Sequence, residues 1–348
     1  MPRSLIICEK PSVANDVSKA LPGMFSKNGD FYESDSAIVG FAIGHLVEQV
    51  DPDQYDERYK KWKYDDLPIV PQEFKYQARD AKAGKQLKAL HKYMTSADVD
   101  VIVNACDAGR EGELIFKLIL ETAPKKAHDK PIKRAWFSSM TSGAIRDAFE
   151  HLRDDAEMIP LEEAARARSE ADWLVGMNAT RASTTKAGNA RKVLSLGRVQ
   201  TPTLALIVNR DLAIQAFVPE DYWEVAATFA TSTGARYVGM WHEGSTTRLT
   251  AGPPADAIVE AVAGKPAVVE SLEIKPQTEQ SPQLYDLTTL QREANRRFGF
   301  SASRTLSAAQ ALYDQHKVLT YPRTNSRYLS TDMIPQLKSV AGKVGMRQ

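Results

Sequence analysis

The run Val99-Asp100-Val101-Ile102-Val103-Asn104-Ala105, continuing into Cys106-Asp107-Ala108-Gly109-Arg110-Glu111-Gly112-Glu113, decides how this chain folds. Its first half is short, β-branched and apolar, as suits a strand buried on both faces of a sheet. Its second half carries two glycines that permit a tight turn, then leads into the apolar helical stretch Leu114 to Leu120. Working outward, Leu5-Ile6-Ile7-Cys8 is a second short apolar run, closed by Glu9. Val13, Ala14, Val17 and Leu21 follow at helical spacing behind Ser12, a good N-cap, and this helix is expected to stop before Pro22-Gly23. Ala37 to Ile43 and Lys133 to Phe137 read as further strands, and Thr141 opens a helix carrying Ile145, Ala148 and Phe149. Strands alternating with helices predict an α/β domain with a largely parallel sheet over residues 1–155.

The pattern then changes twice. Residues 156–215 hold no convincing strand: alanine and arginine dominate Glu162 to Arg168, and Trp173, Leu174 and Met177 continue an apolar helical face. Residues 216–281 read as β-rich, with Trp223 to Ala230 and Arg236 to Trp241 flanking the hairpin turn Ser232-Thr233-Gly234. Ala267 to Ile274 is expected as a third strand, and Lys275 to Pro282 as a linker. Residues 282–348 begin with amphipathic helices at Leu287 to Arg297 and Ser303 to Asp314, which lead into Val318-Leu319-Thr320-Tyr321. The expected fold class is therefore multidomain: a Rossmann-like α/β domain, a helical segment, a small β segment and a further helical segment.

Composition excludes more than it assigns. A chain of 348 residues suffices for two or three domains, and its apolar fraction of 43% and charged fraction of 26% are those of an ordinary globular protein. With 45 basic and 44 acidic residues, no global positive charge marks a nucleic-acid binder. No apolar run approaches the roughly 18 residues of a membrane span, and the first run is too short for a secretory signal. Cys8 and Cys106 offer neither a metal-knuckle spacing nor a disulfide framework, so a reduced, cytoplasmic setting is expected.

In an open α/β sheet, ligands bind beyond the carboxyl ends of the strands. Glu9 and Asp107 both follow strands at that end, and Asp107 opens an acidic turn. Converging carboxylates with nearby cations are what a Mg2+ and phosphate site needs, because Mg2+ takes hard oxygen ligands and keeps waters for substrate contacts. A second reading stays open on these residues alone: solvated acids at helix starts, favoured there by the helix dipole.

Several stretches carry a family resemblance. Ile6-Ile7-Cys8-Glu9-Lys10-Pro11-Ser12 and Asp107-Ala108-Gly109-Arg110-Glu111-Gly112-Glu113 resemble the two halves of the Toprim signature, the metal-binding α/β domain of topoisomerases and primases. Gly44-His45-Leu46, the stretch Tyr55 to Trp62, the stretch Asp172 to Arg181 and Ser195-Leu196-Gly197-Arg198-Val199-Gln200-Thr201-Pro202 are similar to segments of topoisomerase III. Leu319-Thr320-Tyr321-Pro322-Arg323-Thr324-Asn325-Ser326 is similar to its active-site tyrosine motif. The matches occur in family order over nearly the whole chain, and the chain is identified as resembling type IA DNA topoisomerases of the topoisomerase III kind.

The resemblance implies a division into a Toprim metal-binding domain (1–155), a helical DNA-binding segment (156–215), a β-rich segment (216–281) and a partial catalytic domain (282–348). It implies Tyr321 as the nucleophile that joins the 5′ phosphate of a cut strand, and Arg323 as a planar donor to the phosphoryl oxygens. Glu9 is a general acid or base, or a metal ligand, and those two roles stay unseparated. Lys10 is expected to place positive charge at the scissile phosphate, with a solvated lysine at a helix start as the plain alternative. Asp107 and Glu111, with Glu9, are the implied Mg2+ ligands, and Glu113 a structural cap. For DNA, the implied contacts are Trp62, Arg168, Asp172, Trp173, Arg181, Ser195, Gly197, Arg198, Val199, Gln200 and Arg323, although tryptophans at helical spacing are commonly core. Nothing resembles a major-groove recognition helix, so the expected partner is single-stranded or underwound DNA, with no membrane and no small-molecule cofactor beyond the metal.

Two departures qualify the match. The family's acidic motif is commonly Asp-x-Asp-x-Glu, and Gly109 stands where the middle aspartate falls, which leaves open one metal ion or two. The sequence also stops at Gln348, soon after Tyr321, where family members continue far beyond. Reduced activity of a truncated chain is therefore expected. A truncated DNA-binding remnant and a Toprim nuclease or primase-like enzyme remain as alternatives; the latter leaves Thr320-Tyr321-Pro322-Arg323-Thr324 without a task. Absence of a P-loop pattern in the sequence fits an ATP-independent reaction.

Overall fold

The computed structural model describes residues 3–187, 192–316 and 318–345. They divide into two units, residues 1–201 with 283–348, and residues 202–282. The first unit is built on a seven-stranded sheet.

In chain order its elements are β1 (Arg3–Cys8), α1 (Pro11–Ala20), β2 (Ser26–Asn28), β3 (Phe31–Glu33), β4 (Ala37–Phe41), β5 (Val47–Gln49), β6 (Tyr76–Ala78) and α2 (Ala81–Met94). Then come β7 (Val99–Ala105), α3 (Arg110–Glu121), α4 (Lys125–His128), β8 (Ile132–Arg134), α5 (Ser142–Glu150), β9 (Arg153–Asp154) and the long helix α6 (Ile159–Lys186). The sheet runs β2-β3-β4-β1-β7-β8-β9. Its centre, β4-β1-β7-β8, is parallel, and β2, β3 and β9 add antiparallel edges. β1 shows why its residues read as one continuous apolar run. Leu5 and Ile7 face one buried cluster, with α2 and α3 residues such as Leu90 and Ile115. Ile6 and Cys8 face the other, with Val13 and Val17 of α1 and Ile145 of α5. Each such side chain removed from water stabilises the fold by about 1.5–3 kcal/mol, and truncating one to Ala costs about 2–5 kcal/mol.

This doubly wound arrangement confirms the expected fold class, with differences in detail. The first helix starts at Pro11 with Lys10, not Ser12, as its N-cap. Proline suits that position because its missing N–H is one the first turn leaves unbonded anyway. The strand expected over Lys133 to Phe137 is shorter and earlier, Ile132–Arg134, because its ladder to β7 ends at the Asn104 register.

The second unit contains most of α7 (Gln200–Gln215), the hairpin of β10 (Ala226–Ala230) and β11 (Arg236–Met240), and α8 (Gly252–Val262). Gly234 has φ +85° in the expected hairpin turn, a conformation that favours glycine. Phe229 stacks on its cross-strand partner Tyr237. The third strand expected at Ala267 to Ile274 is not formed: Val268, Leu272 and Ile274 are over four-fifths exposed and pair with no neighbour. A strand needs a ladder partner, whatever its propensity. After it, back in the first unit, come α9 (Leu287–Phe298), α10 (Ala302–Asp314) and α11 (Ile334–Gly345).

Candidate functional site

β1 and β7 are adjacent and parallel, yet the helices that follow them, α1 and α3, pack on opposite faces of the sheet. The chain leaves the two strand ends in opposite directions, and in such sheets a crevice at this point is the usual ligand position. Glu9 and Asp107 stand at that crevice. Lys10 links them: its Nζ donates to Asp107 Oδ2 at 2.6 Å and lies 3.2 Å from Glu9 Oε1. The same ammonium sits 5.0 Å from the centre of the Tyr321 ring, within cation–π range. Residues far apart in sequence therefore meet around one positive charge.

The electrostatics follow from this packing. Burial, and then the charge of Asp107, raise the Glu9 carboxyl above the ordinary range, opposed by Lys10. Burial opposes the charge on Lys10, but its hydrogen bond to Asp107 and both carboxylates raise its pKa far above the usual value. Lys10 is cationic at any physiological pH.

Asp107 is held by groups that sequence reading missed. Arg134, fully buried, donates from Nη1 to the carbonyls of Asn104, Cys106 and Ala135 and from Nη2 to the carbonyl of Asp107 at 2.9 Å. Its Nε is 3.1 Å from Glu113 Oε2, an ion pair whose angle does not make a hydrogen bond. Asn104 donates to the other Glu113 oxygen. Burial pushes the Glu113 carboxyl up, against the pull of Arg134. Glu113 is thus a buried structural acid that braces the turn. Gly112 closes the same turn, since a Cβ there would fall 2.2 Å from the Asp107 carbonyl oxygen. The signal for Arg134 was a charged residue inside a short strand, legible only once the end of β8 is known to be buried beside β7.

Glu111 does not join Glu9 and Asp107. It projects from the first turn of α3 toward His45 Nε2 (3.7 Å) and Arg168 Nη1 (3.6 Å). Among the described residues, no group of three or more His, Cys, Asp or Glu side chains is close enough to hold a metal ion. The donor set nevertheless fits Mg2+: two hard carboxylates share one cation, and this ion commonly takes one or two carboxylates and completes its shell with water and phosphate oxygens. Cys8 and Cys106 are buried, and burial raises both thiols far out of the reactive range.

Tyr321 is partly exposed and packs edge-on against Tyr313 of α10 at 5.5 Å. Its segment is tied to the start of α9 by Arg327, which donates to Asp286 Oδ2 (3.0 Å) and Thr289 Oγ1 (2.7 Å), and by the Leu287 amide donating to the Thr324 carbonyl. Arg323 is exposed and lines a shallow cavity of about 330 Å³ with Ser303, Ser307 and Gln310.

The residues expected to touch DNA separate into two sets. Arg168, Ser195, Arg198, Val199 and Gln200 are exposed, as is Asp172, which pairs with Arg198 through both oxygens. Their segment is laced to α6 by hydroxyls: Thr180 Oγ1 bridges the amide and carbonyl of Leu196, and Thr184 Oγ1 accepts from the Leu194 amide. Gly197 lies in this laced turn, its amide bonded to Thr201 Oγ1. Arg181 is set apart from these: it is only 6% exposed, and its Nη1 donates to the Tyr59 carbonyl at 2.7 Å. Trp62, partly exposed, lies under that guanidinium. Trp173 is half-buried edge-on against Tyr55 and Phe74. Asn178, not singled out in sequence, clamps the Ile69 backbone: its Oδ1 accepts from the Ile69 amide and its Nδ2 donates to the Ile69 carbonyl.

Among the described residues, no helix is long and apolar enough to cross a membrane. Compared with known proteins, residues 4–140 match the Toprim domain and residues 156–346 match the family model described as DNA topoisomerase. The chain is 45% identical over 338 residues to DNA topoisomerase 3 of Bacillus subtilis (strain 168) and 44% identical to that of Shouchella clausii. Each match covers 97% of the chain but 45% of the relative, so the chain spans about half the length of these curated relatives. Its fold is similar to that of full-length topoisomerase I from Thermotoga maritima, with TM-score 0.66 and 22% identity over 98% of this chain and 52% of that one. Because the family model spans more than half of its residues and the Toprim model covers the sheet that bears Glu9 and Asp107, the chain belongs to the DNA topoisomerase family.

Proposed function

We propose that this chain carries the strand-cutting machinery of a type IA topoisomerase of the topoisomerase III kind, ATP-independent and working through a 5′-phosphotyrosine. One observation carries the reading: Lys10 gathers Glu9, Asp107 and the Tyr321 ring into one cluster. In this reading the phenol oxygen of Tyr321 attacks a DNA phosphorus, the bond to the 3′ oxygen breaks, and the phenolic proton leaves to solvent or a nearby base. The departing 3′ oxygen takes up a proton, and resealing reverses each step. Glu9, whose carboxyl is raised by burial, is suited to move that proton. Lys10 and Arg323 stabilise charge on the phosphoryl oxygens. Asp107 and Glu9 would hold Mg2+, with Glu111 available if it leaves His45 and Arg168; the ion supplies charge neutralisation at the phosphate.

Single-stranded or underwound DNA is the proposed substrate. Arg168, Ser195, Gly197, Arg198, Val199 and Gln200 form its contact surface, with Asp172 orienting Arg198 and Trp62 offering an exposed ring edge. The division at 1–155, 156–215, 216–281 and 282–348 is proposed as the functional one, and the cytoplasm as the setting.

Covalent trapping tests this directly. With Mg2+ and a single-stranded oligonucleotide, the chain is expected to leave a protein–DNA adduct in a denaturing gel. Tyr321→Phe is expected to abolish the adduct while binding is retained, because only the phenolic oxygen is lost. An adduct that persists with the Phe variant overturns the assignment. Free cut ends without adduct would instead reveal a nuclease.

A further inference from the structure

We infer that Lys10 is an exchangeable internal counter-ion: its ammonium offsets one charge of the Glu9–Asp107 pair when no metal is bound, and a divalent cation displaces it from that pair. The inference rests on the proposed metal role of Glu9 and Asp107 and goes beyond the expected role of Lys10 at the phosphate.

Two carboxylates at adjacent strand ends repel one another, and Glu9 has only 13% of its side chain exposed, so solvent screens the repulsion weakly. A cation at the crevice relieves it. Lys10 fills that place, with Nζ 2.6 Å from one carboxylate and 3.2 Å from the other. Pro11 and the start of α1 fix the backbone at Lys10, while its long stem keeps the head group movable. The Tyr321 ring also faces the ammonium. A divalent cation seated between the two acids competes with the ammonium for the oxygens it now contacts and repels it as a like charge, so entry of the ion favours departure of the ammonium. Lys10 released from the acids stays beside Tyr321, where a phosphate would meet it. Metal entry and placement of Lys10 at the phosphate thereby become one event.

The test uses the 348-residue chain with Mn2+ as the probe, its binding read by electron paramagnetic resonance without DNA. Lys10→Met is expected to bind Mn2+ about tenfold more tightly than the unsubstituted chain, the worth of one charge-assisted hydrogen bond removed from the competing side. Unchanged or weaker binding overturns the inference. Because the variant risks local misfolding, a second measurement leaves the sequence intact: acylation of Lys10 by acetic anhydride, read by mass spectrometry, is expected to speed up when Mg2+ is added. Equal or slower labelling also overturns it. Asp107→Asn separates the two readings. If it abolishes Mn2+ binding while Lys10→Met leaves affinity unchanged, the counter-ion idea alone fails. If it binds as well as the unsubstituted chain, the acids are not the metal site and both readings fall.

Discussion

Single residues around Asp107 decide how much change the site tolerates. Gly112 and Gly109 lie in one turn, yet their surroundings differ. A side chain at Gly112 meets the Asp107 backbone, whereas Gly109 has extended backbone and nothing within 4 Å of where its Cβ would stand. Gly112→Ala is therefore expected to push the Asp107 carbonyl out of place, costing about 1–3 kcal/mol of stability and weakening Mn2+ binding. Gly109→Asp is expected to fold with an unchanged melting temperature and to bind Mn2+ more tightly, since it adds a carboxylate beside Asp107 without a clash. Calorimetric melting and metal titration of both variants check the pair. A stable Gly112→Ala variant with full metal affinity would refute the close-packing argument.

At the scale of elements, α6 and α9 show how side chains anchor the functional segments. Arg181 and Arg198 are both arginines expected at DNA, but α6 buries the first against Tyr59 while the second stays exposed beside Asp172. Arg181→Ala is expected to lower stability by about 1.5–3 kcal/mol and leave the salt dependence of DNA binding unchanged. Arg198→Ala is expected to flatten that salt dependence with little effect on melting, as loss of one phosphate contact does. The Tyr321 segment depends on Asp286, the N-cap of α9, whose pKa the Thr289 amide and hydroxyl, then Arg327, hold down at about 2. A depressed carboxyl stabilises the fold above its unfolded pKa, about 4, and that contribution disappears as pH falls toward 2. Asp286→Ala should accordingly show a shallower loss of stability between pH 4 and 2, measured by acid unfolding. An identical acid limb would remove Asp286 from the account.

For the molecule as a whole, cutting and strand passage are separate demands. The cluster of Glu9, Lys10, Asp107 and Tyr321 lies within the first unit. Strand passage needs both cut ends held while a gap opens, and this chain spans about half the length of its relatives. In the second unit, α7 exposes Leu204, Leu206, Ile207, Leu212 and Ile214, each more than half accessible. The 348 residues by themselves are expected to cleave a short single strand at a low level and not to relax a supercoiled plasmid with Mg2+. Processive relaxation in a gel assay would show that this chain alone suffices.

Much of this was legible in the residues. β1 and β7 are buried on both faces, so their apolar runs announce a parallel sheet, and sheet topology then puts Glu9 and Asp107 at the same end. Turn glycines and the Thr320-Tyr321-Pro322-Arg323 stretch are local signals that need no partner to be read. What sequence left undecided depends on who faces whom. Ala267 to Ile274 has strand composition, but a strand exists only where another chain segment completes its hydrogen bonds. Arg134 and Arg181 look like surface cations until β8 and α6 bury them, and only the direction of α3's first turn shows that Glu111 lies toward His45 and Arg168. The meeting of Lys10 with two carboxylates and Tyr321 is likewise tertiary, because Coulomb energy depends on distance in space and not along the chain.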